Sequence, residues 1–344
     1  MKVIIPAAGY GTRMRPHTHT KPKPLVHVAG RPSLAFVLDA LQPVASSIEE
    51  IIFIVGRMGE QMEEYVRRHY PQYRSYFIEQ RVMRGQADAI ALARDHMQGD
   101  LITLFVDTIF EADLTAISRL GDADGLMYVA EVPDPRRFGI AVVGPDGYVT
   151  RLVEKPRQPE SNLAVVGLYY YKDAQWLLRA IDELMASGRS LKGEYYLADA
   201  IQVMIEQGAR FRVQVVDAWE DTGTWDAVLH ANRYLLRKMD PHTEPYRQGS
   251  ALILPPSFVS PQASVESSII GPFASISEGA SIRDSIIKNS VIGPNSIVTG
   301  AMLFGALIGE RASVEGFYKT LNLGDDSVAR FTDAAGAHID ETFK

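Results

Sequence analysis

From Val259 onward an aliphatic side chain returns every five or six residues: Val259, Val265, Ile270, Ile276, Ile282, Ile287, Ile292, Ile297, Leu303, Ile308 and Val314. This period is too long for strand alternation and does not match the 3.6-residue turn of a helix. A coil built from three short strands needs it, because each face points one aliphatic side chain inward and small residues make the bends. Ala263, Ala274, Ala280 and Ala312 each lie two places before the next aliphatic position, and Gly or Pro stands at many corners. The pattern predicts a short parallel β-helix of hexapeptide repeats over residues 258–320, with about three coils. A small β-sandwich is the competing reading, and eleven near-regular positions weigh against it. Such a stack has exposed ends, so association into a homo-oligomer through the β-helix, the N-terminal domain or both is expected.

The rest of the chain has a different texture. Residues 239–257 contain Pro241, Pro245, Pro255 and Pro256 with little periodicity, and read as a linker. Upstream, residues 1–238 alternate strand-like and helix-like segments. The runs Lys2 to Pro6, Ile51 to Val55 and Leu101 to Val106 are nearly all apolar, as strands of a parallel sheet covered on both faces should be. Leu34, Val37, Leu38 and Leu41 form a helical stripe with Pro32 just inside its start, and Leu197, Ile201, Met204 and Ile205 form another. The expected fold class is α/β: a Rossmann-like, mostly parallel mixed sheet whose crevice lies beyond the carboxyl ends of its strands. A β-rich stretch, about 125–171, supplies the antiparallel part. Residues 321–344 form a C-terminal tail, and from Phe331 on it carries no readable signal.

Charge and composition narrow the partners. The net charge is -7 and no basic block is present, which argues against nucleic acid or an anionic membrane as a partner. Phosphate-rich small molecules remain compatible, since a few cations inside a cleft act locally. There is no cysteine, which excludes disulfides and thiolate zinc sites and fits a reducing cytoplasm. The N-terminus enters an apolar strand and a glycine loop directly, unlike a signal peptide, and no segment approaches the roughly 20 apolar residues of a membrane span. A cytoplasmic location is expected.

After the first strand comes Ala7-Ala8-Gly9-Tyr10-Gly11-Thr12-Arg13-Met14, then Lys21-Pro22-Lys23-Pro24-Leu25. Gly9 and Gly11 let the backbone approach a ligand and present N–H groups to an anion, while Arg13 and Lys23 bring charge to phosphate oxygens. The Gly-Lys-Ser/Thr of a Walker loop is missing. A dinucleotide fingerprint is excluded as well, because Met14 stands where its third small residue belongs.

The extended string resembles the signature of the sugar-1-phosphate nucleotidylyltransferases, of the kind that act as glucose-1-phosphate thymidylyltransferases or uridylyltransferases. Members of that family also carry a β-helix tail, which the resemblance implies to be left-handed. Arg13 would bind the triphosphate and Lys23 would stabilise the reacting phosphates, with Ala7, Ala8, Gly9, Gly11 and Thr12 lining the nucleotide. Gln80 and Arg84-Gly85-Gln86 resemble the base-recognition segment, so that Gln80 and Gly85 would contact the base edge with Gln86 nearby. Asp107 matches the family's first metal aspartate, with Val106 in place of the usual Gly, and Asp221 in Asp221-Thr222-Gly223 matches the second. Two carboxylates with phosphates and waters suit Mg2+. On the sugar side, Gly139 would approach the ring, Glu154 would hold hydroxyls and Lys155 would pair with the sugar phosphate. Gly167 and Glu194 complete that half by their order in the chain.

The reaction this implies is attack by a sugar-1-phosphate on a nucleoside triphosphate, with release of pyrophosphate. Thymidine or uridine triphosphate with glucose-1-phosphate is favoured by resemblance of the Gln80 region and of Gly193-Glu194-Tyr195. Guanosine or adenosine triphosphate with mannose- or glucose-1-phosphate stays open, as does a sensing paralogue that binds the same ligands without turnover. Acyl transfer by the β-helix is disfavoured, because His242, in the linker, is the single histidine between Asp240 and Ala337.

Overall fold

The computed structural model describes residues 1–191 and 193–316; positions 317–320 of the expected β-helix and the tail 321–344 lie outside the described residues. The first half is built on a nine-stranded mixed sheet. Its centre is parallel: Lys2–Ala7 lies between Leu101–Leu104 and Glu50–Val55, and Ser75–Glu79 follows on the outer side. The apolar runs are continuous because successive side chains serve opposite layers. Val3, Ile5, Ile51 and Phe53 enter one buried cluster, while Ile4, Ile52 and Ile54 enter the other. Helices Ser33–Asp39 and Gly59–His69 cover the first face, and Gln86–Ala91, Ala174–Ser187 and Leu197–Glu206 cover the second.

The antiparallel part lies where the β-rich stretch was expected. Leu163–Tyr171 runs antiparallel to Leu101–Leu104 and to Gly125–Glu131, and joins the pair Gly139–Val143 and Val149–Glu154. One helix is shorter than its stripe: Ser33–Asp39 begins after Pro32, and Leu41 is buried in the turn that follows.

The C-terminal half is a parallel β-helix. Three stacks of short strands, starting at Ala251–Ile253, Phe258–Val259 and Ser264–Glu266, each continue through three further strands. Ile253, Ile270, Ile276, Ile282, Ile287, Ile292 and Val298 are wholly or almost wholly buried inside it; Val298 takes the inward place expected of Ile297, which faces outward on the same strand. Four coils are therefore present where about three were expected. The added rung comes from Ala251–Ile253, inside the proline-rich stretch read as a linker, which pairs in parallel with Ile269–Ile270. The prolines around it hide an ordinary inward–outward alternation, with Ala251 and Ile253 buried.

The two halves are packed together. Helix Trp225–Met239 buries Val228, Ala231, Leu235 and Leu236 in a cluster that also holds Met14, Val26, Val28 and Ala29, with Phe258 and Leu307 of the β-helix against it. The Asn232 amide, fully buried, accepts the Ala29 N–H at 2.9 Å and donates to the Phe273 carbonyl at 3.0 Å. Lys21 is paired with Glu310 across the same boundary. No helix among the described residues is long and apolar enough to cross a membrane.

Candidate active site

The carboxyl ends of Lys2–Ala7 and Leu101–Leu104 open into a cleft of about 510 Å3. A larger hollow of about 750 Å3 lies between the halves, lined by residues such as Tyr65, Arg68 and Asn295; it contains none of the expected nucleotide, sugar or metal residues. The smaller cleft does. Ala7, Ala8, Gly9, Gly11, Thr12, Arg13, Lys23, Gln80, Gly85, Gln86, Asp107 and Glu194 all line it.

The glycine loop turns at Gly11, whose φ of 58° is left-handed, and the Gly11 carbonyl accepts the Thr18 hydroxyl at 2.8 Å. This folds the loop back so that Lys23 stands beside it. Asp107 follows the buried strand Leu101–Leu104, and Thr108–Glu111 then pairs antiparallel with Ala218–Asp221, placing Asp221 opposite Thr108. The Thr222 N–H donates to the Asp107 carbonyl at 2.9 Å, so the two aspartates are carried on neighbouring strands.

Charge converges there. The Lys23 ammonium is 3.6 Å from Asp107 and its side chain is only 13% exposed. Burial is the largest influence on it and lowers its pKa; the charges of Asp107 and Asp221 oppose that, and Arg13 reinforces it. A side-chain carbon at Gly223 would come within 2.7 Å of Asp221 Oδ1 and 3.4 Å of the Arg13 guanidinium, which locates Arg13 against the same turn. Two cations and two carboxylates from three separated chain segments thus share one place. Among the described residues no group of three or more His, Asp or Glu is arranged to hold an ion. An oxygen-only pair such as Asp107 and Asp221 suits a hard cation that draws its other ligands from phosphate and water.

Gly139, Glu154, Lys155 and Gly167 form a second group beside this one. Gly139 pairs with Glu154 across the antiparallel strands, and Glu154 binds the Lys155 ammonium at 2.7 Å. Lys155 has a left-handed φ of 45°, which side-chain-bearing residues rarely adopt, and its ammonium lies 5.3 Å from the Tyr196 ring. Burial disfavours its charge, yet the hydrogen bond and charge of Glu154, with Tyr196 and Glu194 behind it, outweigh burial and raise its pKa. The Gly167 carbonyl accepts the Phe105 N–H at 3.0 Å, and Phe105 lines the cleft.

The stretch around Gly85 is tied to the one that carries Glu194 and Tyr196. Tyr195 donates its N–H to the Arg84 carbonyl at 2.8 Å and accepts from the Ala87 N–H at 3.0 Å. Gly85 permits this approach: its φ is 104°, and a Cβ there would lie 2.4 Å from the Tyr195 carbonyl oxygen. Val106 is buried in the core cluster beneath the sheet and also borders the cleft. Sequence reasoning missed Phe105, Tyr196 and Asp88. For Asp88 a signal existed, the four-residue spacing from Arg84.

Comparison with known proteins gives the family. The profile of the nucleotidyl transferase family matches residues 2–238. A glucose-1-phosphate thymidylyltransferase of Streptomyces antibioticus is 32% identical over 340 residues, covering 91% of this chain and 93% of its own. A UTP–glucose-1-phosphate uridylyltransferase of Haloferax volcanii, AglF, is 32% identical over 224 residues, covering 64% of this chain and 89% of its own. A crystal structure from Bacillus anthracis, assigned as a glucose-1-phosphate thymidylyltransferase and solved with sucrose, superposes with a TM-score of 0.61 at 25% identity, over 71% of this chain and 98% of that one. The chain belongs to the nucleotidyl transferase family and is an enzyme of nucleotidyl transfer.

Proposed function

We propose that this enzyme joins uridine or thymidine triphosphate to glucose-1-phosphate, giving a nucleoside diphosphate sugar and pyrophosphate. The observation that carries the reading is the buried Lys23 ammonium, paired with Asp107 and within the fields of Asp221 and Arg13 beside the glycine loop. A cluster of this kind answers the problem of bringing two polyanions together.

An oxygen of the sugar phosphate attacks the α-phosphorus and forms the new P–O bond. The bond from that phosphorus to the oxygen bridging the β-phosphate breaks, and its electron pair leaves with pyrophosphate. The second pKa of a phosphate monoester is about 6, so near neutrality the nucleophile needs no general base. Lys23 and Arg13 neutralise charge gathering on the departing oxygens, and Lys155 aligns the attacking phosphate. Ala7, Ala8, Gly9, Gly11 and Thr12 line the triphosphate; Gln80, Gly85 and Gln86 meet the base. Gly139, Glu154, Gly167 and Glu194 surround the sugar. Asp107 and Asp221 would hold a magnesium ion together with the phosphates, and that ion supplies further charge against the leaving group. The reading includes action in the cytoplasm as a homo-oligomer.

Pyrophosphate release is the test, run with each of the common triphosphates against glucose-1-phosphate and mannose-1-phosphate in the presence of magnesium. Turnover is expected with UTP or dTTP and glucose-1-phosphate. Release confined to a purine triphosphate would replace the assignment of the base, and no release with any pair would overturn the reading.

A further inference from the structure

Gln80 lines the cleft yet is only 5% exposed, and its main-chain N–H is fixed to the Val55 carbonyl at 2.9 Å. Its side-chain carboxamide is fixed at one end too. The terminal atom assigned as Nε2 stands 3.0 Å from Asp88 Oδ2 and 3.3 Å from the Gly85 carbonyl oxygen. A carboxylate and a peptide carbonyl are both acceptors, so the atom facing them must be the NH2 group. The opposite orientation would bring three acceptor oxygens together in a nearly closed space. Asp88 is itself 4% exposed, and its second oxygen, Oδ1, is taken by Arg84 at 2.7 Å. The carboxylate therefore has one oxygen for the guanidinium and one for the amide. Among the described residues none donates to Gln80 Oε1, and that oxygen is not among the buried atoms left without a partner.

We propose that Asp88 is a positioning residue for base selection: it locks the Gln80 carboxamide with its oxygen toward the nucleotide, so that the cleft favours a pyrimidine offering an N–H at N3 over one offering a lone pair there. Uracil and thymine present that N–H, whereas cytosine presents an acceptor at the same atom. The inference rests on the functional reading above, in that the ligand of this cleft is a nucleoside triphosphate. It adds the residue that sets the direction of the recognising amide. Without Asp88 the carboxamide keeps only the longer contact to the Gly85 carbonyl at 3.3 Å, a weaker hold against the rotation that would let it meet either base.

The test uses the full chain with Asp88→Ala and Asp88→Asn. It compares UTP with CTP by kcat and KM at fixed glucose-1-phosphate, by calorimetric affinity for each nucleotide, and by melting temperature. One neutral hydrogen bond of this kind is worth about a tenfold change in discrimination. Asp88→Ala is expected to lower the UTP-to-CTP ratio about tenfold, with the change residing in KM and in the measured affinities. Asp88→Asn keeps an acceptor oxygen for Gln80 and is expected to restore most of the ratio. Equal losses for both nucleotides in Asp88→Ala, or a ratio that does not move, would overturn the proposal. A wild-type chain that binds UTP and CTP equally would also overturn it. A wild type that binds UTP selectively but releases no pyrophosphate overturns the functional reading instead, and the affinities still decide the role of Asp88.

Discussion

The two halves of this molecule bury polar groups for different ends. In the β-helix a set of corner serines forms closed circuits, while the Ser275 hydroxyl, buried on a strand, is left without a partner. Ser268 donates to the Glu266 carbonyl at 2.6 Å and accepts the Ser285 N–H at 3.0 Å; Ser285 repeats the device with Arg283 and Ala301, and Ser290 with Lys288 and Ala306. Each corner serine ties one coil to the next and has little left to offer a ligand. In the α/β half the circuits are open. Lys23 is buried against carboxylates that do not fully offset its desolvation, and Gln80 is bonded at its nitrogen while its oxygen has no partner among the described residues. Buried polarity that is satisfied holds a fold together, and buried polarity left incomplete at a cleft is free to meet a ligand.

This contrast can be broken by experiment. The largest effect is expected from Lys23→Ala, which should reduce turnover about 10²–10³-fold while moving the unfolding free energy by no more than about 1 kcal/mol. Pyrophosphate release and chemical denaturation measure the two quantities, and near-normal turnover would remove Lys23 from the chemistry. The mirror case is Ile287→Ala, fully buried in the middle of the stack. It should cost about 2–5 kcal/mol in denaturation experiments and leave KM for both substrates unchanged.

His27 sharpens the comparison, because it lies at the boundary, 3.1 Å from the Ser277 hydroxyl. Burial, helped by the charge of Lys21, pushes its pKa down from 6.5 to about 4. The folded protein thus prefers the neutral ring. Its contribution is complete above pH 6.5 and is lost as the pH falls toward 4. Over that window the loss should reach up to about 3 kcal/mol, and the stability difference between wild type and His27→Asn, measured from pH 7 to pH 4, should shrink accordingly. The smallest effect, about 2 kcal/mol, is expected for Asn232→Ala, which leaves the Ala29 N–H and the Phe273 carbonyl without their partner. Limited proteolysis at the boundary would register it, and unchanged protection would show that the halves dock by apolar contact alone.

Legibility in the sequence followed the same division. The β-helix was readable because each face repeats one inward aliphatic position, so Ile270, Ile287 and Leu303 announce their stack locally. What escaped was the rung at Ala251–Ile253, too short to show a repeat amid prolines, and the serine circuits, since serine at a bend also suits an ordinary loop. In the α/β half the order of motifs revealed most of the cleft, because a glycine loop followed by closely spaced cations is a local pattern, and those residues line one space. The strand order did not follow from it. That Leu163–Tyr171 pairs with Leu101–Leu104, some 60 residues earlier, depends on long-range contacts that no local pattern encodes. Asp88 was obscured for a different reason: an acid four residues after an arginine reads as a solvated pair on a helix surface, and only burial reveals its second oxygen at work.

Met14, Val26 and Val28 belong to the segment that also carries Arg13 and Lys23, and they rest on the same cluster that Phe258 and Leu307 of the β-helix support. The boundary at 238–239 is therefore a seam in the chain but not in the machine. A truncation there would take away part of the floor beneath the glycine loop, so the C-terminal coils act as a keel for the cleft above them.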